Sequence, residues 1–146
     1  MKNEFYLHFD EGMPKGTAQE KGEKIMYKIQ NGRRVPYIHH YRKSEVEITR
    51  RVIGLKMARF RPEKPSYKPI KLEVFLYFDV KERKKWGSYK DTKPDCDNYV
   101  KEIKDIMTDL GFWGDDAQVV DLRVVKRYAE KATICIRWEE LEDGPT

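Results

Sequence analysis

Apolar residues recur along the chain with two periods, and each period predicts one type of element. Alternation of apolar and polar residues is typical of strands with one buried face. It occurs in four segments, residues 3–9, 71–80, 118–128 and 132–138. Apolar residues three or four apart are typical of helices, and they occur in residues 44–59 and 98–110. We expect the last two strands to pair as a hairpin.

Another hairpin is predicted around Asn31-Gly32, which joins two short runs that contain apolar residues. Both central positions of a type I′ turn need positive φ, which Asn and Gly adopt readily. Pro36 places the second run at a sheet edge, because proline has no amide hydrogen to donate. The segment near 11–23 is predicted to be a flexible loop, and the tail from about 140 to be frayed.

These elements predict an α+β fold, a single domain over residues 1–146 with a mixed β-sheet and two main helices. The length of 146 residues suits one domain with a modest core. Charged residues make up 38% of the chain, more than in an average globular protein, yet the apolar positions are periodic enough to fold.

Cysteine usage and the amino terminus indicate an intracellular protein. Cys96 and Cys135 lie far apart with no CxxC spacing, which excludes a predicted zinc site or disulfide framework. The first residues lack the apolar core of a signal peptide, and no stretch approaches the roughly 20 apolar residues of a membrane span. We therefore expect a cytoplasmic protein with reduced thiols and no membrane partner.

Charge is distributed unevenly along the chain, although the net charge is only +5. Residues 1–94 carry 23 basic and 12 acidic side chains, whereas residues 95–146 carry 7 basic and 13 acidic ones. A basic portion beside a compact acidic cluster suits a protein that binds a polyanion and also holds cations. A solvated surface of uneven sign is the alternative.

The predicted loop over residues 81–93 is rich in basic residues interleaved with Trp86 and Tyr89. Basic side chains contact phosphates, and aromatic rings stack on bases or wedge between them. An ordinary exposed loop with an aromatic ring packed back on the domain would have the same composition, so this segment alone does not decide between the two.

Residues 93–119 contain the acidic cluster. Asp95 and Asp97 are two apart and point the same way on extended backbone, and Asp97 is placed to cap the helix that follows. Lys101 and Asp105 follow Asp97 on one helix face. Glycines after the helix are expected to let Asp115 and Asp116, the last pair of the cluster, return beside the first pair.

Converging carboxylates repel one another unless a cation neutralises them, and all-oxygen ligation selects Mg²⁺ or Mn²⁺. The alternatives are an N-cap at Asp97, a solvated face for Asp105 and Asp109, and a simple turn at 115–116. An EF-hand calcium loop is excluded, because Val100 stands where its sharp turn needs glycine. No Walker A, HExxH or GxSxG motif is present.

The pattern K-P-D-x-D-N-x-x-K, then a helix, then W-x-D-D-x-Q-V, resembles the signature of the RusA family of bacterial and phage Holliday-junction resolvases. The matching residues are Lys93, Pro94, Asp95, Asp97, Asn98, Lys101, Asp105, Trp113, Asp115, Asp116, Gln118 and Val119. The resemblance implies a small homodimer that binds four-way DNA junctions and cuts two strands symmetrically with Mg²⁺. It assigns the catalytic residues to Asp95, Asp97, Asp116 and Lys101, with Asp115 as a shared metal ligand or a group behind the ligands.

Together with the acidic cluster, the resemblance implies a Mg²⁺-dependent endodeoxyribonuclease for branched DNA in recombination and repair, with Mn²⁺ able to substitute. The expected metal ligands are Asp95, Asp97, Asp115 and Asp116. The expected DNA contacts are Lys15, Arg33, Arg34, Lys84, Lys85, Trp86, Lys90 and Lys93. A metal-dependent nuclease for flaps, forks or duplex DNA, and a non-catalytic DNA-binding relative, are the alternatives.

Overall fold

Six strands and two α-helices form the part of the chain that the computed structural model describes, residues 2–14, 21–42 and 44–142. The side chains of residues 21–24, 40–42 and 44–45 lie outside that description. The strands are β1 (Lys2–Phe9), β2 (Lys21–Gln30), β3 (Arg33–Arg42), β4 (Ile70–Asp79), β5 (Val119–Ala129) and β6 (Ala132–Glu140). The helices are α1 (Ser44–Met57) and α2 (Cys96–Asp109), with short 3-10 turns at Ala58–Phe60, Arg83–Lys85 and Asp116–Gln118.

Four strands form a mixed sheet in the order β1-β6-β4-β5, with β4 parallel to β5 and antiparallel to β6. The mixed α+β architecture is confirmed, but the predicted hairpin of β5 with β6 is wrong. Strand β4 lies between them and takes the hydrogen bonds that a hairpin would have used. Its alternate side chains are buried, so a central position suits it. Glu130 and Lys131 link β5 to β6 past the end of β4.

The core lies between the sheet and the two helices. Strand β1 contributes Phe5, Leu7 and Phe9, and β4 contributes its alternating apolar residues, as the pattern predicts. Ile53 of α1 and Ile103 of α2 are completely buried among them. One continuous cluster thus unites elements from both ends of the described chain.

The predicted boundaries need several adjustments. The predicted flexible loop near 11–23 is wrong where it is described, because Met13 is buried in the core and residues 21–23 belong to β2. Helix α2 begins at Cys96, two residues earlier than expected, and α1 ends at Met57 before a 3-10 turn. The chain beyond β6 is held in place as far as residue 142, because the Leu141 amide donates to the Pro69 carbonyl at 2.8 Å and Glu142 pairs with Lys68. Residues 15–20 of the predicted loop and residues 143–146 of the predicted frayed tail lie outside the described residues.

Strands β2 and β3 form a separate two-stranded sheet. The turn residues Asn31 and Gly32 have φ of 52° and 72°, which confirms the type I′ hairpin. Pro36 lies on a strand with a free edge, as predicted, because a two-stranded sheet consists of edges alone. No helix in the described ranges is long and apolar enough to cross a membrane.

Replacing Leu76 of β4 by alanine should lower the free energy of unfolding by about 2–5 kcal/mol, because the side chain is fully buried and its loss leaves a cavity. Leu55→Ala on the surface of α1 is the matched control and should change it by less than about 0.5 kcal/mol, since Leu55 is 74% exposed. Urea unfolding followed by circular dichroism measures both. Similar losses from the two substitutions would contradict this position for β4.

Candidate active site

Helix α2 presents one polar and one apolar face. Tyr99, Val100 and Ile103 are buried against the core. Asp97 and Lys101 are exposed on the other face, one turn apart, as the four-residue spacing predicts. Packing of the apolar face therefore fixes the direction in which the carboxylate and the ammonium group point.

The segment that leads into α2 places Asp95 and Asp97 at the helix start. Asp95 is the N-cap residue, and its side chain makes no capping hydrogen bond. Asp97 lies within the first turn, so the expectation that Asp97 caps the helix is wrong, because the helix begins earlier than predicted. The Lys126 ammonium group of β5 donates to the carbonyls of Thr92 and Pro94 at 2.6 and 2.7 Å and anchors this segment.

The turn after α2 is held by internal hydrogen bonds. Trp113 is buried, and its indole Nε1 donates to Thr108 Oγ1 at 2.9 Å. The Asp115 carboxylate accepts from the Ala117 amide, and Gln118 Oε1 accepts from the Asp115 amide, both at 2.9 Å. The motif W-x-D-D-x-Q thus forms a capped turn.

Asp115 and Asp116 lie beside the last turns of α2. They line a shallow cavity together with Arg50, Asp105, Thr108, Asp109 and Gly114. About 12 Å of helix axis separates Asp97 from Asp105, at 1.5 Å per residue. The expectation that the second pair returns beside Asp95 and Asp97 is therefore wrong for a single chain. The chain enters β5 at the C-terminal end of α2 and reaches the N-terminal end only near Lys126.

Arg50 of α1 compensates the acidic C-terminal half of α2. Its guanidinium lies 3.0 Å from Glu102, 3.8 Å from Asp105 and 2.7 Å from Asp109. Glu102 is buried, and Asp109, although exposed, is ion-paired and does more than solvate a surface. No local sequence pattern points to Arg50, because its partners lie more than 50 positions away.

The carboxylates expected to be essential differ from their neighbours in one respect. Asp105 and Asp109 pair with Arg50, and Asp115 caps the turn. By contrast, the side chains of Asp95, Asp97 and Asp116 form no hydrogen bond or salt bridge with any residue that the structure describes, and the same is true of Lys101. With no partner among the described residues, these four side chains are available to bind a ligand.

The carboxylates of Asp95, Asp97 and Asp116 are suitable ligands for a hard divalent cation, because every donor atom is an oxygen. Their arrangement in one chain is incomplete. Within residues 2–14, 21–42 and 44–142, no three histidine, cysteine or acidic side chains form a group able to hold a metal ion. Asp95 and Asp97 stand at one end of α2 and Asp116 at the other, which leaves two partial ligand sets.

The loop over 81–93 lies along the free edge of β5. The Gly87 amide donates to the Tyr128 carbonyl at 2.8 Å, and the Tyr128 amide donates to the Ser88 carbonyl at 2.9 Å. Trp86 is half-buried, and its Nε1 donates to the Val80 carbonyl at 2.9 Å. The ring expected to contact DNA is therefore packed back on the domain, in agreement with the alternative interpretation.

Basic side chains of this loop surround one phenol. Lys85 and Lys90 lie within 6 Å of the Tyr128 ring, at 5.9 and 5.3 Å. The Thr92 hydrogen bond, together with the charges of Lys90 and Lys85, lowers the pKa of Tyr128. Lys85 also lies 3.4 Å from Glu82. The positive charge of the loop is thus gathered next to the start of α2.

The other predicted DNA contacts divide into three groups. Lys84 and Lys93 are exposed on the loop. Arg33 and Arg34 are exposed on β3, in the separate hairpin. Lys15 lies outside the described residues.

An exposed aromatic residue, Tyr89, was not among the predicted contacts. The Arg127 guanidinium stacks on its ring at 4.1 Å. Tyr89 stands in the same basic loop as Trp86, and the sequence offered no means of deciding which of the two rings packs inward.

Comparison with known proteins identifies the family. The model of a family described as endodeoxyribonuclease RusA matches residues 11–139. The chain belongs to this family. The matched region contains Asp95, Asp97, Lys101 and the capped turn after α2.

Three relatives illustrate the range of similarity. A protein of Lactococcus phage r1t named crossover junction endodeoxyribonuclease rusA is 38% identical over 50% of this chain and 56% of its own length. The protein of Escherichia coli strain K12 named crossover junction endodeoxyribonuclease RusA is 46% identical over 38% of this chain and 46% of its own. The uncharacterized protein YqaN of Bacillus subtilis strain 168 is 29% identical over 89% of this chain and 92% of its own length. The chain thus spans about half the length of the two relatives whose names state an activity.

Arg50→Ala should destabilise the protein by about 3 kcal/mol, because it leaves the buried Glu102 carboxylate without its cation. Adding Glu102→Gln should recover part of that loss by removing the buried charge. Arg51→Ala, the exposed neighbour on α1, should change stability by less than about 0.5 kcal/mol. Urea unfolding compares the variants, and equal effects of Arg50→Ala and Arg51→Ala would refute the role of the ion pair.

Proposed function

We propose that this chain is a metal-dependent endonuclease that resolves four-way DNA junctions by hydrolysing one phosphodiester bond in each of two strands. The observation that supports this most directly is that Asp95, Asp97, Asp116 and Lys101 pair with none of the described residues, in a chain that belongs to a family of endodeoxyribonucleases. Asp105 and Asp115 of the same acidic cluster, by contrast, are engaged within the fold, the first with Arg50 and the second as a cap.

Asp95, Asp97 and Asp116, with Asp115 as a further ligand or a group behind them, would hold Mg²⁺, and Mn²⁺ would substitute. A cation held there supplies Lewis acidity at a phosphodiester. Lys101, one turn from Asp97, would donate to a phosphate oxygen and stabilise negative charge that develops during cleavage. Its exposure gives it access to a backbone phosphate.

DNA would be held by phosphate contacts on the same side as the start of α2. Lys84, Lys85, Lys90 and Lys93 belong to the loop that leads into Asp95. Such contacts position the backbone and do not read sequence. Branched DNA would therefore be selected by shape, through the spacing of the basic surfaces.

A homodimer would explain the split ligand set. In one chain Asp97 and Asp116 lie at opposite ends of α2. If a second chain packed with its α2 antiparallel to the first, each end would meet the complementary end of the partner. Two complete sites would result, one for each of the two strands that a resolvase must cut.

Purified protein with Mg²⁺ should nick a synthetic four-way junction in two symmetric strands and should leave linear duplex of the same sequence largely uncut. Excess chelator should abolish cutting. Asp97→Asn should also abolish cutting while binding without metal is kept or modestly tightened, because the change removes a negative charge near a phosphate. Gel assays with labelled strands measure cutting and binding.

Asp10→Asn, an exposed aspartate in the turn after β1, is the matched control and should cut normally. Cutting in excess chelator, or normal cutting by Asp97→Asn, would overturn the metal site. If the protein cut flaps or linear duplex in preference to the junction, the alternative substrates would be favoured over the four-way junction. Binding without any cleavage by the wild type would favour a non-catalytic DNA-binding relative.

Mixing Asp97→Asn with Asp116→Asn protein should restore cutting if two chains share each site. A mixed dimer would then have one site with both substitutions and one site with neither. Mixing Asp97→Asn with Asp95→Asn should restore nothing, because these residues lie at the same end of α2 and each site would keep one defect.

Differently tagged chains, recovered together, verify that subunits exchange. Cutting by the first mixture and not by the second is the expected result. No recovery in either mixture, despite verified exchange, would show that each chain forms its site alone. Light scattering that reports a monomer both free and on DNA would exclude the dimer itself.

A further inference from the structure

The β2–β3 hairpin carries an apolar face in one direction. Its register pairs Ile25 with Ile38 and Tyr27 with Pro36, so these four side chains share one side of the ribbon. Ile29 continues the row toward the turn. Alternation along both strands therefore produces a continuous strip of aliphatic and aromatic groups.

Apart from the Arg34 guanidinium, which lies over the Tyr27 ring, the described residues leave most of this strip exposed. Ile29 is 78% exposed, Ile25 is 66% exposed and Ile38 is 60% exposed. Isolated exposed apolar residues are ordinary, but several adjoining ones on a two-stranded ribbon indicate a surface that contacts something. Neither strand is hydrogen-bonded to the four-stranded sheet, so the domain does not supply that contact through pairing.

The charge of the hairpin indicates the kind of partner that this strip contacts. Residues 24–44 contain six lysine and arginine residues and no aspartate or glutamate. Arg34 lies opposite Ile29 and stacks its guanidinium over the Tyr27 ring at 4.1 Å. Lys28 lies over the Tyr37 ring at 5.7 Å. Apolar groups flanked by cations complement nucleic acid, which presents apolar base faces between phosphates.

We propose that the β2–β3 hairpin inserts at the branch point of the junction, with Ile25, Ile29 and Ile38 against unstacked bases and Arg33 and Arg34 on the flanking phosphates. This inference rests on the proposed junction substrate. A two-stranded ribbon fits a DNA groove, and aliphatic side chains act as wedges between base steps. Unstacking costs least where base stacking is already interrupted, and a branch point is such a place.

A second copy of the chain suits this face less well. Two hairpins packed strip to strip would bring together two sets of cations with no acidic residue between 24 and 44 to offset them. Like charges at such an interface repel, whereas phosphates neutralise them and release bound counterions. The strip therefore favours DNA as its occupant.

The test uses the full chain without divalent metal and a synthetic four-way junction that carries 2-aminopurine at the branch point. Wild-type binding should raise the fluorescence as the base unstacks. Ile25→Ser with Ile29→Ser should lose that rise and bind the junction about tenfold or more weakly, while binding to linear duplex stays unchanged. Leu55→Ser, an exposed leucine on α1, is the matched control and should behave as wild type.

Arg33→Ala with Arg34→Ala should instead weaken binding to both DNAs and reduce the slope of log K against log salt by about two. Wild-type fluorescence and junction affinity in the Ile25→Ser, Ile29→Ser variant would overturn the insertion. So would a dimer that becomes a monomer in that variant, because the strip would then be a subunit interface. Absence of any junction preference in the wild type would instead count against the proposed function.

Discussion

Burial of one face of α2 against the sheet and α1 is the contact on which the candidate site depends. Tyr99, Val100 and Ile103 fix the rotation of the helix about its axis. Once that rotation is fixed, Asp97 and Lys101 have to point outward, whatever the rest of the surface does. The orientation of the candidate catalytic face is thus a by-product of core packing.

The acidic face of α2 is compensated at one end only. Arg50 neutralises the C-terminal half through Glu102, Asp105 and Asp109. No comparable cation pairs with Asp95 or Asp97 among the described residues. Negative charge at a helix start is also stabilised by the helix dipole, so these two carboxylates tolerate exposure without a partner until a ligand arrives.

Periodicity predicted most of the elements, because each strand and helix is determined by residues close together in sequence. Asn31-Gly32 identified its turn for the same reason. The predictions that were wrong concern which strands or side chains pair when they lie far apart in sequence. Whether β6 pairs with β5 or with β4 depends on which strand is most deeply buried, and a short linker permits either.

The candidate site shows the same division. The sequence motif identified Asp95, Asp97 and Lys101 as one group, and all three lie at the N-cap or in the first two turns of α2. Their relation to Asp116 depends on the direction in which β5 runs beside α2, which no local pattern encodes. Arg50 was missed because an arginine on a separate helix has no sequence relation to the acids it pairs with.

The turn after α2 combines residues that serve the fold with one residue that is available to the candidate site. Trp113 packs in the core, Asp115 caps the turn and Gln118 binds backbone amides. Selection for folding alone would therefore keep these three residues. Asp116 is the one aspartate of the motif with no such internal task in the described structure. A relative that did not cleave DNA would therefore still need Trp113, Asp115 and Gln118 for folding, and within this turn only Asp116 would be free to change.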